Sequence, residues 1–184
     1  MNLKDSTIIN LLERIALALE GKPNSLGFGE PPRPRMVYVG KYHEGKDYLW
    51  HFLDNAKNPV PIDRKALTGI IFAVSITPAS RGTQYLDAFV DSGQRYVVRS
   101  ELESTFASDL LAALSTLSPK ELNIPLTIGV AAGVTECRAS VWTGGGRRLK
   151  VPDELMCLPV RELAHQVGEA LRCAADLRFV EEGA

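Results

Sequence analysis

The chain has 184 residues, and its 21 Lys and Arg residues nearly balance its 22 Asp and Glu residues. The resulting net charge of −1 excludes a uniformly basic nucleic-acid coat but leaves room for a local basic face. Apolar residues make up 45% of the chain, which argues against wholesale disorder, and the longest charge-free stretch is too short and too polar to predict a membrane span.

The first predicted element is a helix over residues 5–20. Its apolar side chains recur at helical spacing on one stripe: Ile8, Leu12, Ile15 and Leu19. Residues 21–35 contain four prolines and three glycines, so they predict a linker rather than a helix or a strand. We therefore interpret 1–35 as an N-terminal region whose helix packs on the chain's own core, on a second copy or on a partner.

The next segment predicts a β-hairpin with a short third strand. The strands are Met36–Tyr42 and Tyr48–Asp54, with a turn at Glu44–Gly45, followed by Val60–Ile62. Strand alternation places three aromatic side chains on one face: Tyr48, Trp50 and Phe52. Two interpretations stay open, because these rings either form a stacking surface or bury the hairpin against the rest of the fold.

Residues 66–150 give the clearest pattern. Alternation and helical periodicity predict three strands, a helix and two further strands: Leu67–Thr77, Tyr85–Val90, Arg95–Arg99, the helix Thr105–Leu117, Leu126–Val130 and Glu136–Trp142. Gly144–Gly146 predicts a hairpin turn. A second long helix is predicted over 159–179, because Leu163, Val167 and Leu171 share one stripe.

The order β-β-β-α-β-β over 66–150 resembles the OB-fold single-strand nucleic-acid-binding proteins. The resemblance implies a mainly β fold, built on an OB-like five-stranded barrel with flanking helices and an extra hairpin. We accordingly expect three regions: an N-terminal helix and linker (1–35), the hairpin and barrel (36–150), and a C-terminal helix and tail (151–184).

Strand alternation also predicts which side chains face the barrel core. In the second barrel strand Leu86, Ala88 and Val90 share one face, and in the fifth strand Cys137, Ala139 and Val141 do so. The opposite face of strands two and three then carries four aromatic and basic residues: Tyr85, Phe89, Arg95 and Arg99. Aromatic rings stack on exposed bases and arginines bind phosphates, so this face is a candidate nucleic-acid surface.

Two further groups extend this candidate surface. Arg81 lies in the predicted loop after the first barrel strand. A basic and aromatic group surrounds the end of the fifth strand: Arg138, Trp142, Arg147 and Arg148, with Lys150. The alternative is that the aromatic rings pack under the helices or the hairpin, and that the arginines are solvated charges at a strand edge.

The sequence contains no motif for catalysis, metal binding or a cofactor. Nucleophile-elbow, phosphate-loop and zinc-binding spacings are absent, and the acidic residues Asp87, Asp91, Glu101 and Glu103 are interpreted as solvated. The three cysteines are widely spaced and predict small core residues in a reducing compartment. With no secretion signal in view, we expect a cytoplasmic location.

These observations predict a non-catalytic single-stranded DNA-binding protein, with DNA favoured over RNA. The alternative is a protein-interaction or assembly module on the same fold, docking through helices 5–20 and 160–175 to a partner or to a second copy. Membrane association is not expected.

Overall fold

The structure is a computed structural model that describes residues 33–40, 48–79, 82–134 and 136–182, with side chains up to residue 177. The predicted helix 5–20, the turn at Glu44–Gly45 and Arg81 lie outside these residues. The described residues belong to one compact unit that begins at Arg33.

Eight strands form one curled sheet, a half-barrel, in the order β3-β2-β1-β6-β5-β4-β7-β8. The strands are β1 (Arg35–Val39), β2 (Trp50–Leu53), β3 (Pro59–Pro61), β4 (Ala66–Pro78), β5 (Gln84–Asp91), β6 (Arg95–Glu101), β7 (Leu126–Ala132) and β8 (Cys137–Trp142). Neighbours are antiparallel except for β1 and β6, which run parallel. The expected mainly β class with flanking helices is confirmed.

In the part of the chain that the structure describes, four helices flank the sheet: α1 (Thr105–Leu114), α2 (Pro119–Leu122), α3 (Asp153–Met156) and α4 (Val160–Glu182). The Ser104 side chain caps α1 by accepting the Ala107 N–H. Ser118 and Glu121 form a capping box on α2, a short helix that the sequence pattern did not predict. None of the described helices is long and apolar enough to cross a membrane.

The core lies on the inner side of the sheet. The predicted inward residues of β5 and β8 are buried: Leu86, Ala88, Val90, Cys137, Ala139 and Val141. Phe106, Leu110 and Leu114 of α1 complete this core, and burial of Phe106 alone contributes about 1.5–3 kcal/mol. Helix α4 adds Leu163 to the same core, so the alternation and helical stripes that predicted these faces are confirmed.

The strand β4 is 13 residues long and pairs with two different neighbours along its length. Residues Ala66–Gly69 pair with β7, whereas Ile70–Pro78 pair with β5, and the register shifts between Ile71 and Ala73. A shift of this kind bends a strand and increases its twist. The bend contributes to the curl of the sheet.

The chain order of β4, β5, β6, α1, β7 and β8 agrees with the predicted element order, whereas the closure of these five strands into an OB-like barrel stays a prediction. Among the strands of the described residues β8 pairs only with β7, and β1 occupies the other edge of β6 in a parallel pairing. The start of β8 nevertheless lies near the β1–β2 hairpin, because the Cys137 thiol contacts the Leu49 carbonyl at 3.5 Å.

The tryptophan of the β1–β2 hairpin, Trp50, is buried in the core. Trp50 is 3% exposed, lies in the core cluster beside Val37, and donates its ring N–H to the Arg64 carbonyl. Phe52 is half-buried, with the Arg35 guanidinium 4.5 Å above its ring. The interpretation that these aromatics bury the hairpin is therefore confirmed for Trp50.

Candidate nucleic-acid interface

The outer side of β5 and β6 carries the four residues that strand alternation predicted there. In the antiparallel register Asp91 lies opposite Arg95, and Asp87 lies opposite Arg99. Because side chains of a strand alternate between the two faces, these residues and every second neighbour lie on the side opposite the core. We call Tyr85, Phe89, Arg95 and Arg99, together with Phe72 of β4 and Tyr38 of β1, the central face. Phe72 and Tyr38 were not predicted.

Two arginine–aromatic pairs organise the central face. The Arg99 guanidinium lies 5.3 Å from the Tyr85 ring centroid, and that of Arg95 lies 5.9 Å from the Phe72 ring centroid. Phe72 and Phe89 are in tilted contact, with their centroids 5.9 Å apart. The rings are half-buried while Arg95 is exposed, so a flat ligand can reach both ring and guanidinium surfaces.

Asp87 fixes the position of Arg99. It is 3% exposed, and its two oxygens accept hydrogen bonds from Arg99 Nε at 2.7 Å and Nη2 at 2.6 Å. The Thr77 hydroxyl donates a further bond to it at 2.7 Å. The expectation that Asp87 is solvated was therefore wrong. Hydrogen bonding to Asp87 raises the pKa of Arg99, and the pair carries no net charge.

The central face extends from β6 onto β1 and β2. Tyr38 lies beside Arg99 in the parallel register of β1 and β6, and it faces His51 across the β1–β2 pair. The Tyr38 and His51 rings stack with centroids 5.6 Å apart. Burial lowers the pKa of His51 below its ordinary value, so its ring is neutral at pH 7. Alternation within the predicted strand Met36–Tyr42 was the signal that could have found Tyr38.

The β8 group has a different internal arrangement. Arg138 forms a bidentate pair with Asp109 of α1, with its Nε 2.6 Å and its Nη2 2.9 Å from the carboxylate. Asp109 is 6% exposed and also accepts the Ala139 N–H at 3.2 Å. These bonds join α1 to the edge strand of the sheet. That Arg138 contacts nucleic acid stays a prediction.

The remaining basic residues of this group lie around the turn after β8. The glycine turn forms as predicted, with Gly146 N–H donating to the Thr143 carbonyl. Arg148 Nη2 donates to the Ser140 hydroxyl at 2.9 Å. Arg147 Nη2 lies 3.9 Å from Glu121 Oε1. Both arginines border an open depression of about 390 Å³ that Lys150 also lines.

Trp142 packs across β7. Its ring lies against Gly129, at a position where any Cβ on residue 129 would collide with the ring. The register pairs Trp142 with Thr127 and continues the outer side of the sheet. Trp142 therefore combines a packing contact with partial exposure.

Among the described residues, no three His, Cys, Asp or Glu side chains come together in a way that could hold a metal ion. Comparisons of the chain with models of known protein families, with curated proteins and with solved structures found no match. The interpretation of this surface therefore depends on its own geometry.

Proposed function

We propose that this chain is a non-catalytic single-stranded DNA-binding protein and that the central face is its main binding surface. The observation that carries the proposal is the co-facial arrangement of two arginine–aromatic pairs on adjoining strands. The order of β4 to β8, with α1 between β6 and β7, supports an OB-like unit, and OB-folds bind oligonucleotides on the face of their second and third strands. Those strands correspond here to β5 and β6.

Stacking supplies most of the binding free energy on this face. Aromatic rings contribute about 1–3 kcal/mol for each stacked base, irrespective of its sequence. Tyr85 and Phe89 are the rings that the proposal places under bases. The Arg99 guanidinium, neutralised by Asp87, widens the platform of Tyr85, whereas the exposed Arg95 binds phosphate.

The β8 group supplies additional charge. Arg147, Arg148 and Lys150 are exposed on one turn and attract the phosphates of a strand that runs beyond the central face. Each phosphate neutralised by a basic side chain contributes about −0.7 to the slope of log K against log salt for a single strand. Binding should therefore weaken with salt, but less steeply than for a protein that relies on charge alone.

Fluorescence anisotropy tests the proposal directly. A labelled oligothymidine of about 30 nucleotides is titrated with protein at about 50 and 200 mM salt, and duplex DNA and single-stranded RNA of equal length serve as comparisons. We expect salt-sensitive binding that prefers single-stranded DNA. Absence of binding at micromolar protein and low salt would contradict the proposal, and a clear preference for RNA would change its substrate.

A charge reversal then locates the binding surface. Arg95→Glu should weaken single-strand binding at least about tenfold and reduce the salt slope by about 0.7 or more. Arg95 is exposed and has no buried carboxylate partner among the described residues, so its loss should leave the fold intact. Lys120→Glu is the matched control, because it makes the same charge change on α2, away from the central face. Equal effects of the two substitutions would contradict a role for this face.

A further inference from the structure

A groove runs between one edge of β4 and helix α4. Among the described residues, Ile70–Pro78 pairs with β5 alone, so its second edge has no strand beside it. Residues of a strand direct their N–H and C=O groups alternately to the two sides. Every second residue between Phe72 and Ile76 therefore directs its backbone groups toward the groove.

The groove has a volume of about 530 Å³ and two chemically different walls. The strand wall is Phe72–Ile76, which is largely apolar and carries no charge. The helix wall is one face of α4, and its residues follow helical spacing: Arg161, Ala164, His165, Gly168, Leu171 and Arg172.

The middle of the helix wall is open because residue 168 is a glycine. A Cβ built on Gly168 would meet no atom within 4 Å, so no described part of the chain occupies this space. A glycine inside a helix costs about 1 kcal/mol relative to alanine. Nothing in the packing of the described residues requires a glycine here, whereas close approach of another backbone would.

The charges on the helix wall favour an acidic ligand. Arg161 donates to the Gln84 side-chain amide oxygen, a neutral partner that does not offset its positive charge. Arg172 pairs with Glu169, which also lies 3.9 Å from His165. Two arginines against one glutamate leave the rim with an excess positive charge.

We propose that this groove binds an extended, acidic peptide segment of a partner protein, which pairs with β4 as an additional strand. Main-chain hydrogen bonds to the Phe72–Ile76 edge would supply affinity, and alternate side chains would reach the apolar wall and the basic rim. About five residues of such a strand span ~16 Å. This site shares Phe72 with the central face but is otherwise built from different residues, and peptide binding here does not depend on DNA binding.

The groove fits a peptide better than a polynucleotide. Its hydrogen-bonding groups repeat at the spacing of a β-strand, which a sugar–phosphate backbone does not match. Among the described residues its rings are Phe72 on the strand wall and the His165 imidazole on the helix wall, so it lacks the successive stacking platforms that a single strand uses.

Selection from a random-peptide phage library identifies a probe. The full chain is the bait, and phage that also bind the Gly168→Leu variant are removed. Leucine at residue 168 fills the open space and raises the helix propensity of α4, so this variant should fold at least as stably as the native chain. We expect the enriched peptides to alternate apolar and acidic residues.

An enriched peptide is then synthesised and its affinity is measured. Gly168→Leu should weaken its binding at least about tenfold, whereas Gln166→Leu, an exposed change on the same helix outside the groove, should alter it less than about twofold. Peptide binding should also slow hydrogen exchange of alternate backbone amides within 72–76. Oligothymidine affinity should be the same in the native chain and in Gly168→Leu, which separates this site from the central face.

Three results would overturn the proposal. Selection could fail to yield a peptide that distinguishes the native chain from Gly168→Leu. The enriched peptides could lack acidic residues. The amides of 72–76 could already be protected in the protein alone, which would mean that the edge is covered before any partner arrives.

Discussion

Two arginine–aspartate pairs in the sheet invite comparison. Arg99 with Asp87 and Arg138 with Asp109 are both bidentate, and both aspartates are almost completely buried. The difference lies in the element that supplies the carboxylate. Asp87 comes from the neighbouring strand of the same face, whereas Asp109 comes from α1 beyond the sheet edge.

This difference gives the two arginines different environments. The Arg99 side chain is 24% exposed, and its guanidinium lies over the Tyr85 ring as part of a continuous surface. The Arg138 side chain is 53% exposed, and its carboxylate partner also satisfies the Ala139 N–H of the edge strand. The element that supplies the carboxylate partner therefore distinguishes the two arginines. A partner on the neighbouring strand keeps Arg99 within a candidate binding face, whereas a partner on α1 makes Arg138 part of an edge contact.

The largest effect on stability is expected when the Arg138–Asp109 pair at the sheet edge is broken. Asp109→Ala removes the acceptor of three hydrogen bonds and leaves the Ala139 N–H buried without one, which should lower the free energy of unfolding by about 2–3 kcal/mol. Urea unfolding measures this loss. The DNA affinity of the folded variant should change less than about twofold. A loss of stability below about 0.5 kcal/mol would contradict the edge-contact role.

The next largest effect is expected from replacing an aromatic residue of the central face, and the matching change in the β8 group provides the comparison. Tyr85→Leu keeps an apolar side chain but removes the stacking surface, so single-strand affinity should fall about tenfold, or ~1.4 kcal/mol. Trp142→Leu should lower affinity by less than about threefold while reducing stability, because its ring packs on Gly129. Anisotropy and urea unfolding of both variants check this contrast, and a reversed order would transfer the main binding surface to β8.

A smaller effect tests the charge of the central face. Asp87→Asn removes one negative charge beside Arg99 and should raise single-strand affinity about threefold at low salt, with a salt slope steeper by about 0.7. Asp109→Asn makes the same change at the edge pair and should leave the affinity and the slope nearly unaltered. If Asp87→Asn weakened binding instead, the carboxylate would matter chiefly for orienting Arg99.

The smallest effect concerns pH. The Glu136 carboxylate accepts the N–H and the hydroxyl of Thr105 at the start of α1, and these bonds hold its pKa below the ordinary value of 4.5. A carboxylate with a lowered pKa adds stability that is fully present above pH 4.5 and disappears as the pH falls through its pKa in the folded state. Glu136→Gln should therefore lower stability by about a few tenths of a kcal/mol at pH 7.

Urea midpoints measured between pH 7 and about pH 3 check this expectation. The difference between the native chain and Glu136→Gln should shrink on acidification and vanish at the acid end. A difference that stayed constant with pH would contradict a charge effect at the start of α1.

The inner face and the order of elements could be predicted from sequence because both depend on local periodicity. Leu86, Ala88 and Val90 alternate, and the stripe that includes Phe106 and Leu110 follows helical spacing, so each pattern specifies its own buried face. The Asp87–Arg99 pair was also within reach. Once the turn after Asp91 is placed, antiparallel register brings residues 87 and 99 opposite each other.

The remaining features depend on contacts between segments that are distant in sequence. The parallel pairing of β1 with β6 joins Tyr38 to Arg99, and no pattern within either strand predicts it. The register shift near Phe72 places that ring on the central face against the simple alternation of β4. The Asp109–Arg138 pair required the docking of α1 against β8, which the helical stripe leaves undetermined.

Photocrosslinking tests the central claim most directly. An iodouracil-substituted single strand is irradiated in complex with the full chain, and the crosslinked residues are identified by mass spectrometry. We expect crosslinks at Tyr85 and Phe89 of β5, with weaker ones at Trp142. Efficient crosslinking confined to segments outside 84–101 would contradict the claim that the central face binds the strand.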